Sequence, residues 1–195
     1  MQIAEKYKRL LPNFVLLKNE KNEGLVSSCN KALKEINTQY FLRLDADDYL
    51  SEDALVSIEK ELRIIKGEDI VVFHRWDIFD SSNEINVVRV SQDIFSWIAT
   101  GVMFKTQSVK NVQGYSDEYW EEYDLYIKLL EAGCKFKISS YCIYYYRRGH
   151  GSLTKCFDVN KKGFDCLVNK WGLDIIQKYG NFRYFFQYYL NKGSG

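Results

Sequence analysis

Hydrophobic positions along the chain follow two periods, which predict the order of its strands and helices. Short apolar runs bounded by turn residues predict buried strands, whereas apolar residues repeated every three or four positions predict amphipathic helices. Pro12 ends the first helix, because proline cannot continue the helical hydrogen-bond ladder. In the first half of the chain, the pattern predicts helices at 2–11, 24–36 and 54–65 and strands at 14–17, 40–44 and 70–73.

Strands predominate in the second half of the chain. Ser81, Ser82 and Asn83 separate two apolar runs, at 76–79 and 85–90, and predict a β-hairpin. Strands that alternate with helices, followed by hairpin-like strands, indicate an α/β protein with a mixed sheet. The remaining predictions are strands at 101–104, 134–138 and 142–147, a helix at 123–132 that ends at Gly133, and helical structure again from Asp158.

Three carboxylates, those of Asp45, Asp47 and Asp48, directly follow the strand predicted at 40–44. In parallel α/β sheets, ligands bind beyond the carboxyl ends of the strands. Because neighbouring carboxylates repel one another, such a group favours a hard cation such as Mg²⁺ or Mn²⁺, which also binds substrate phosphates. A solvated turn in which Asp48 or Ser51 caps the next helix would explain the same residues.

A calcium loop of the EF-hand type fits this segment poorly. Such a loop needs glycine at its sixth position and glutamate at its twelfth. Counted from Asp45, those positions hold Leu50 and Val56.

Composition and charge narrow the class of protein. With 195 residues, 46% hydrophobic and 27% charged, the chain is long enough for one globular domain with a sizeable core. A net charge of +1 argues against a dedicated nucleic-acid binder, which is normally strongly basic. The five cysteines form no Cys-x-x-Cys pair and are interpreted as reduced thiols of a cytosolic protein. The sequence also lacks a long apolar stretch that would predict a membrane span.

The acidic group belongs to a longer series of short motifs with an ordered spacing. This series includes Asp45-Ala46-Asp47-Asp48, which is weakly specific alone, and Glu121-Glu122-Tyr123-Asp124-Leu125; the ordered set is the strong signal. The full series comprises residues 22–24, 30–33, 40–48, 51–55, 101–104, 112–115, 121–125 and 146–154. This set, over about residues 13–155, resembles the family-2 glycosyltransferases, which are nucleotide-sugar enzymes of the GT-A fold.

The resemblance implies roles for individual residues. Asp47 matches the metal ligand of the family, and Asp45 matches the contact with the ribose or sugar of the donor. Glu122 stands where the family has its catalytic Asp and is the candidate general base. Arg147 and Arg148 are expected to bind the diphosphate of the donor, as guanidinium groups suit phosphate geometry.

Each assignment has an alternative. Glu121 and Asp124 are the other candidate bases, and acidic residues at a helix start also stabilise the helix dipole. The two arginines would equally suit a solvated basic loop. His150 stands one residue later than the His of the family. His74, Asn22 and Asn30 are predicted to be structural, the first as a core histidine and the others in a turn and in helix packing.

The chain differs from the family pattern before the strand at 14–17. Family members begin with two βα units that hold the base and ribose, and a βα unit needs roughly 30 residues, whereas only 44 residues precede Asp45. The missing strands would leave unpaired edges within the sheet. A fragment, a rearranged sheet or a partner chain that completes the sheet would each explain the difference. Weak donor binding is therefore expected.

These inferences give a GT-A-like glycosyltransferase domain at 1–155, partial at its N-terminus, and a C-terminal helical extension at 156–195. In that extension Phe182, Phe185, Phe186 and Tyr189 form a stripe that suits packing or, alternatively, contact with a membrane surface.

The predicted activity is inverting, Mg²⁺- or Mn²⁺-dependent transfer from a nucleotide-sugar donor to a glycan or lipid-linked acceptor. Synthesis of surface polysaccharide or glycoconjugate, in the cytoplasm or at the inner face of the membrane, is the expected setting. The alternative is a non-catalytic remnant or partner subunit that binds a glycan or protein.

Overall fold

The computed structural model describes residues 2–82, 84–116, 119–148 and 157–181. In this part of the chain, six strands form one mixed sheet, in the order β1-β5-β3-β6-β2, with β4 paired to β3 beside this path. Among the pairs described, only β3 and β6 run parallel. The strands are β1 (Tyr40–Leu42), β2 (Tyr49–Leu50), β3 (Ile70–Phe79), β4 (Ile85–Val88), β5 (Val102–Lys105) and β6 (Phe136–Arg148).

Seven α-helices and one short 3-10 helix, at Ile94–Ser96, accompany these strands in the described residues. No helix among them is both long and apolar enough to cross a lipid bilayer. The α-helices are α1 (Gln2–Leu10), α2 (Leu25–Glu35), α3 (Ala54–Ile64), α4 (Thr106–Asn111), α5 (Glu121–Glu131), α6 (Phe157–Trp171) and α7 (Leu173–Tyr179).

The sheet has a hydrophobic cluster on each face, because successive side chains of a strand point to opposite sides. Ile70 and Val72 of β3 enter the larger cluster, where helices α5, α6 and α7 contribute Leu125, Leu167 and Ile176. The alternate residues of β3 enter a smaller cluster with Ala54 of α3. The larger cluster therefore anchors α5 and the C-terminal helices against one face of the sheet.

Most predicted elements are confirmed, with three corrections. The runs at 70–73 and 76–79 belong to one strand, β3, and those at 134–138 and 142–147 belong to one strand, β6. The predicted buried strand at 14–17 is wrong, since this segment forms no strand and Val15 and Leu17 are exposed. The pattern also missed α4, the 3-10 helix and the two-residue strand β2, which are too short to give a periodic signal.

Candidate active site

The carboxyl ends of β1, β3 and β6 lie at the same edge of the sheet. Both β1 and β3 run antiparallel to β5, and β6 runs parallel to β3. The acidic turn, Asp45 to Asp48, directly follows β1. The first turn of α5 approaches the same edge, where a buried arginine connects the two.

Arg43 joins the acidic turn to α5. Its Nε donates to Asp45 Oδ1 at 2.8 Å, and its Nη2 lies 3.3 Å from Asp45 Oδ2. Its Nη1 donates to Glu121 Oε1 at 3.0 Å. The side chains of Arg43 and Glu121 are only 13% and 12% exposed, so these ion pairs are largely shielded from water. The Asp45 carboxylate, predicted to contact the donor, is thus bound to a neighbouring arginine.

Asp47 and Asp48 differ sharply in environment. Asp47 is exposed on the turn, whereas Asp48 is buried. Asp48 Oδ1 accepts a hydrogen bond from the Arg147 amide at 3.0 Å, which fixes the turn to β6. Asp48 Oδ2 is buried without a hydrogen-bond partner. Burial raises the pKa of Asp48, although the hydrogen bond from the Arg147 amide opposes this shift.

The turn offers a divalent cation oxygen ligands but no complete cage. In the described ranges, no group of three or more His, Cys, Asp and Glu side chains is arranged to hold a metal ion. Mg²⁺ usually binds one or two carboxylates and completes its shell with water and substrate phosphates. The exposed Asp47 and the unpartnered Oδ2 of Asp48 fit that mode of binding, in which the substrate supplies the remaining ligands.

Glu122 lies in the first turn of α5, and its carboxyl group is hydrogen-bonded to the side chain of Glu121. Burial, reinforced by the charge of Glu121, raises the pKa of Glu122 to about 8, while Arg43 acts in the opposite direction. A carboxyl group with such a pKa is largely protonated at pH 7, and its ionised fraction is a stronger base than an ordinary carboxylate. The roles predicted for Glu122 and Asp47 are not tested by this geometry and stay predictions.

The start of α5 is held by close packing against α6. Trp120, the residue before α5, has a left-handed backbone (φ 61°) and its ring contacts Tyr123 and Phe95. Gly163 of α6 lies against this ring, and a Cβ there would stand only 2.8 Å from it. The absence of a side chain at Gly163 therefore lets α6 approach the helix that carries Glu122.

Asp124, an alternative candidate for the base, is held in structural contacts between two helices. Its side chain is fully buried, and its Oδ1 accepts from Trp171 Nε1 and pairs with Lys170 Nζ, each at 2.8 Å. Burial would raise the pKa of Asp124, but the bonds from Lys170, Trp171 and Ser116 outweigh it and hold the pKa below its usual range. Asp124 thus joins α5 to the end of α6 and is poorly placed to take a proton.

The two arginines expected to bind the donor lie at the end of β6 and already have acidic partners. Arg147 forms a two-pronged pair with Asp80, at 3.2 and 3.1 Å. Arg148 Nε donates to Asp77 Oδ2 at 2.9 Å, and its guanidinium lies over the Tyr146 ring. Both side chains are about two-fifths exposed. Their predicted contact with a diphosphate remains a prediction.

Asp77 also binds a second arginine. Its Oδ1 accepts from Arg75 Nε at 2.8 Å, and both of these side chains are buried. The ion pairs of Arg43, Arg75 and Asp77 were not predicted from the sequence, because nothing in their local pattern shows which strands the fold brings together. The alternation of charge in Arg75-Trp76-Asp77 within an apolar run was the one available signal.

Three residues predicted to be structural are confirmed as such. His74 is buried and its Nδ1 accepts from the Val90 amide at 3.1 Å. The Asn30 side chain bonds both the amide and the carbonyl of Tyr115, and Asn22 Oδ1 accepts from the Gly24 amide in a turn. The four described cysteines are free thiols. His150, residues 152–154 and the stripe from Phe182 lie outside the described residues.

Several solved structures share this fold. A mannosyltransferase, PcManGT from Pyrobaculum calidifontis in complex with GDP-Man and Mn²⁺, gives a TM-score of 0.64 at 12% identity, covering 87% of this chain and 50% of that one. S. aureus TarS, residues 1–349, gives 0.60 at 18% identity, covering 86% and 52%. The TarS complex with UDP gives 0.57 at 18% identity, covering 91% and 56%. The predicted GT-A-like fold is confirmed.

Sequence comparison agrees with the structural similarity. Chondroitin synthase of Escherichia coli is 24% identical over 169 residues, which make up 78% of this chain and 24% of that protein. The chain therefore spans about half the length of the solved structures and about a quarter of this relative. The family model for glycosyl transferase family 2 matches residues 1–125, which include the acidic turn and the start of α5. The chain belongs to glycosyl transferase family 2.

Proposed function

We propose that this chain transfers a sugar, with inversion, from a nucleotide-sugar donor to an acceptor hydroxyl. The observation that carries the proposal is the meeting of two acidic groups at one sheet edge, the turn after β1 and the first turn of α5, joined through Arg43. Inverting transfer needs a group that binds the departing diphosphate and a base for the acceptor proton. The exposed Asp47 and Glu122, whose pKa is raised, suit these two tasks.

Asp47, with Asp48 beside it, would hold Mg²⁺ or Mn²⁺ together with the donor diphosphate. A bound cation supplies electrostatic stabilisation of the negative charge that develops on the diphosphate leaving group. The neighbour PcManGT, whose structure contains GDP-Man and Mn²⁺, supports this choice of donor and ion. The burial of Asp48 and its bond to the Arg147 amide keep the turn in position for this binding.

Glu122 would take the proton of the acceptor hydroxyl. Its pKa of about 8 makes it a stronger base than an ordinary carboxylate, because burial disfavours its charged form. Arg148, fixed by Asp77 and partly exposed, would contact the diphosphate from the end of β6. A glycan or lipid-linked acceptor, a polysaccharide product and a cytoplasmic setting belong to the same proposal. The similarity to chondroitin synthase supports the polysaccharide product.

The metal assignment can be tested by thermal unfolding with Mn²⁺ and either UDP or GDP. The parent chain is expected to show a higher melting temperature when both are present, and Asp47→Asn should remove that increment. Glu52→Gln, an exposed acid in the next loop, after β2, is the matched control and should keep it. Equal stabilisation of Asp47→Asn and the parent would contradict the assignment.

The transfer itself can be tested with a panel of nucleotide sugars and glycan acceptors. Glu122→Gln should lower turnover by about 10²–10⁴-fold, while the Mn²⁺-dependent stabilisation by UDP or GDP persists. Glu35→Gln, at the exposed end of α2, serves as the control. A parent chain that binds the nucleotide but transfers no sugar would favour the alternative, a non-catalytic glycan-binding or protein-binding subunit.

A further inference from the structure

Two adjacent glutamates at the start of α5 have different environments. Glu121 Oε1 is bound by Arg43 Nη1 at 3.0 Å, and its side chain is 12% exposed. Glu122 makes no such pair in the described ranges. Both carboxylates stand near the same sheet edge, and either could reach an acceptor by its place in the sequence. A difference in partners, and not in residue type, therefore separates them.

Arg43 is fitted to this position by the shape of its guanidinium. Its Nε and Nη2 face the two oxygens of Asp45, and its Nη1 is directed to Glu121. All three nitrogens are thus used, in the planar fork that arginine offers and lysine lacks. Because the pairs are largely buried, removal of the guanidinium would leave two carboxylates facing each other without a counter-ion.

We infer that Arg43 is a positioning residue that determines which of the two adjacent glutamates acts as the base, by binding Glu121 to Asp45 and leaving Glu122, in the described residues, without an arginine partner. This inference rests on the proposed function. In the transfer step, Glu122 takes the proton of the acceptor hydroxyl, and the acceptor oxygen forms a bond to the anomeric carbon. The bond from that carbon to the diphosphate oxygen breaks, and the diphosphate leaves with the electron pair.

The groups around Glu122 agree with different roles for Glu121 and Glu122. The charged and titratable groups that face it in the described ranges are Glu121 from its own helix, Arg43 from the end of β1, and the buried Tyr123 and Tyr126. Arg43 is the cation among them, and it favours the charged form of Glu122. Loss of Arg43 should therefore raise the pKa of Glu122 further while releasing Glu121 beside it.

The first test measures kcat and KM for four variants. Arg43→Met should lower kcat at least tenfold. The released Glu121 carboxylate then competes with Glu122 for the proton of the acceptor hydroxyl and for the place beside it. Arg43→Lys should give a smaller but clear loss, since one ammonium nitrogen cannot reproduce the two-pronged bond to Asp45 together with the bond to Glu121. The double variant Arg43→Met/Glu121→Met should recover much of the loss in Arg43→Met. Arg63→Met, which removes an exposed arginine paired with Glu59, is the matched control.

Two outcomes of these kinetics would overturn the inference. One is an Arg43→Met variant that is less stable but keeps the kcat, KM and pH profile of the parent, which indicates a merely structural arginine. The other is a double variant no more active than Arg43→Met, which indicates that Glu121 does not compete. Circular dichroism of every variant establishes that it is folded.

A second test does not require transfer. The ¹³C carboxyl signal of Glu122, assigned by its loss in Glu122→Gln, is followed with pH in the parent and in Arg43→Met, or in Arg43→Lys if the former does not fold. The titration midpoint should move upward in the variant. An unchanged midpoint would overturn the inference even in an active enzyme. An upward shift in a chain without transfer activity would support the arrangement and contradict only the proposed function.

Discussion

Glu122 shows how one half-buried carboxyl group links the candidate site to stability. Its pKa rises from 4.5 to about 8 on folding, so the folded state binds this proton more tightly than the unfolded state. The contribution of Glu122 to stability is therefore full below pH 4.5 and is lost as the pH rises through about 8. The free energy of unfolding should fall over this range in the parent.

The free energy of unfolding of the Glu122→Gln variant should fall less steeply with pH, because the amide cannot titrate. Urea unfolding at pH 5, 6, 7 and 8 measures both slopes, and the difference between them isolates the contribution of this residue. Glu35→Gln, which changes an exposed carboxylate, should keep the slope of the parent. Identical slopes in Glu122→Gln and the parent would show that Glu122 is not a perturbed carboxylate.

At the scale of single residues, the sequence predicts features that depend only on neighbouring residues along the chain. The acidic turn was predictable because Asp45 to Asp48 follow an apolar run directly, and His74 because a lone histidine in an apolar strand is usually satisfied in the core. The partner of Asp45 was not predictable. Arg43 is two residues from Asp45, but its second contact is 78 residues away, and only the folded sheet brings α5 to β1.

At the scale of elements, the position of Tyr144, a side chain of β6, depends on Gly101. This glycine precedes β5 with φ +86°, and a Cβ there would lie 2.0 Å from Cε1 of the Tyr144 ring. Tyr144 is itself almost completely buried, so its ring has little room to move. Gly101→Ala should therefore destabilise the protein through both backbone strain and overpacking, by more than about 3 kcal/mol.

Gly133→Ala is the matched control, since Gly133 has a similar φ of +81° with no atom within 4 Å of the added Cβ. Backbone strain alone should cost about 1–2 kcal/mol there. Urea unfolding of both variants gives the comparison. Equal losses of stability would mean that the Tyr144 ring does not oppose a side chain at position 101.

Strand boundaries were the least predictable elements. His74 and Arg75 separate the apolar runs at 70–73 and 76–79 in the sequence, yet both residues are buried within the single strand β3. The apolar run at 14–17 has the composition of a strand, yet composition cannot supply a neighbouring strand. Helices α2, α3 and α5 were predicted nearly to their ends, because their apolar stripes and terminal residues are local signals.

At the scale of the whole molecule, the C-terminal helices are part of the structure that supports the candidate base. Leu167 of α6 and Ile176 of α7 enter the larger core, and Trp171 donates to the buried Asp124. Trp171→Phe should lower the free energy of unfolding by about 1–3 kcal/mol, since a buried acceptor loses its donor. Trp76→Phe, in a partly exposed stacked ring, is the control for loss of indole area.

Chemical denaturation of these two variants supplies the measurement. A loss in Trp171→Phe no larger than in Trp76→Phe would show that the bond to Asp124 adds little. The boundary predicted at 155/156 falls within residues 149–156, outside the described ranges, and stays a prediction. Packing of α6 against Trp120 nevertheless indicates that a shortened chain intended to be active should retain both C-terminal helices.

The parallel pairing of β3 with β6 has a consequence for the kinetics of folding. The bond from the Lys135 amide to Asp69, at the start of this pair, spans 66 residues of sequence, and the bond from Arg147 to Asp48 spans 99. The entropy of closing such long loops is lost before the stabilising contacts form, and this slows folding. The acidic turn can become fixed to β6 only after this closure. Newly made chains should therefore acquire their nucleotide site late, in the same slow phase that completes the sheet.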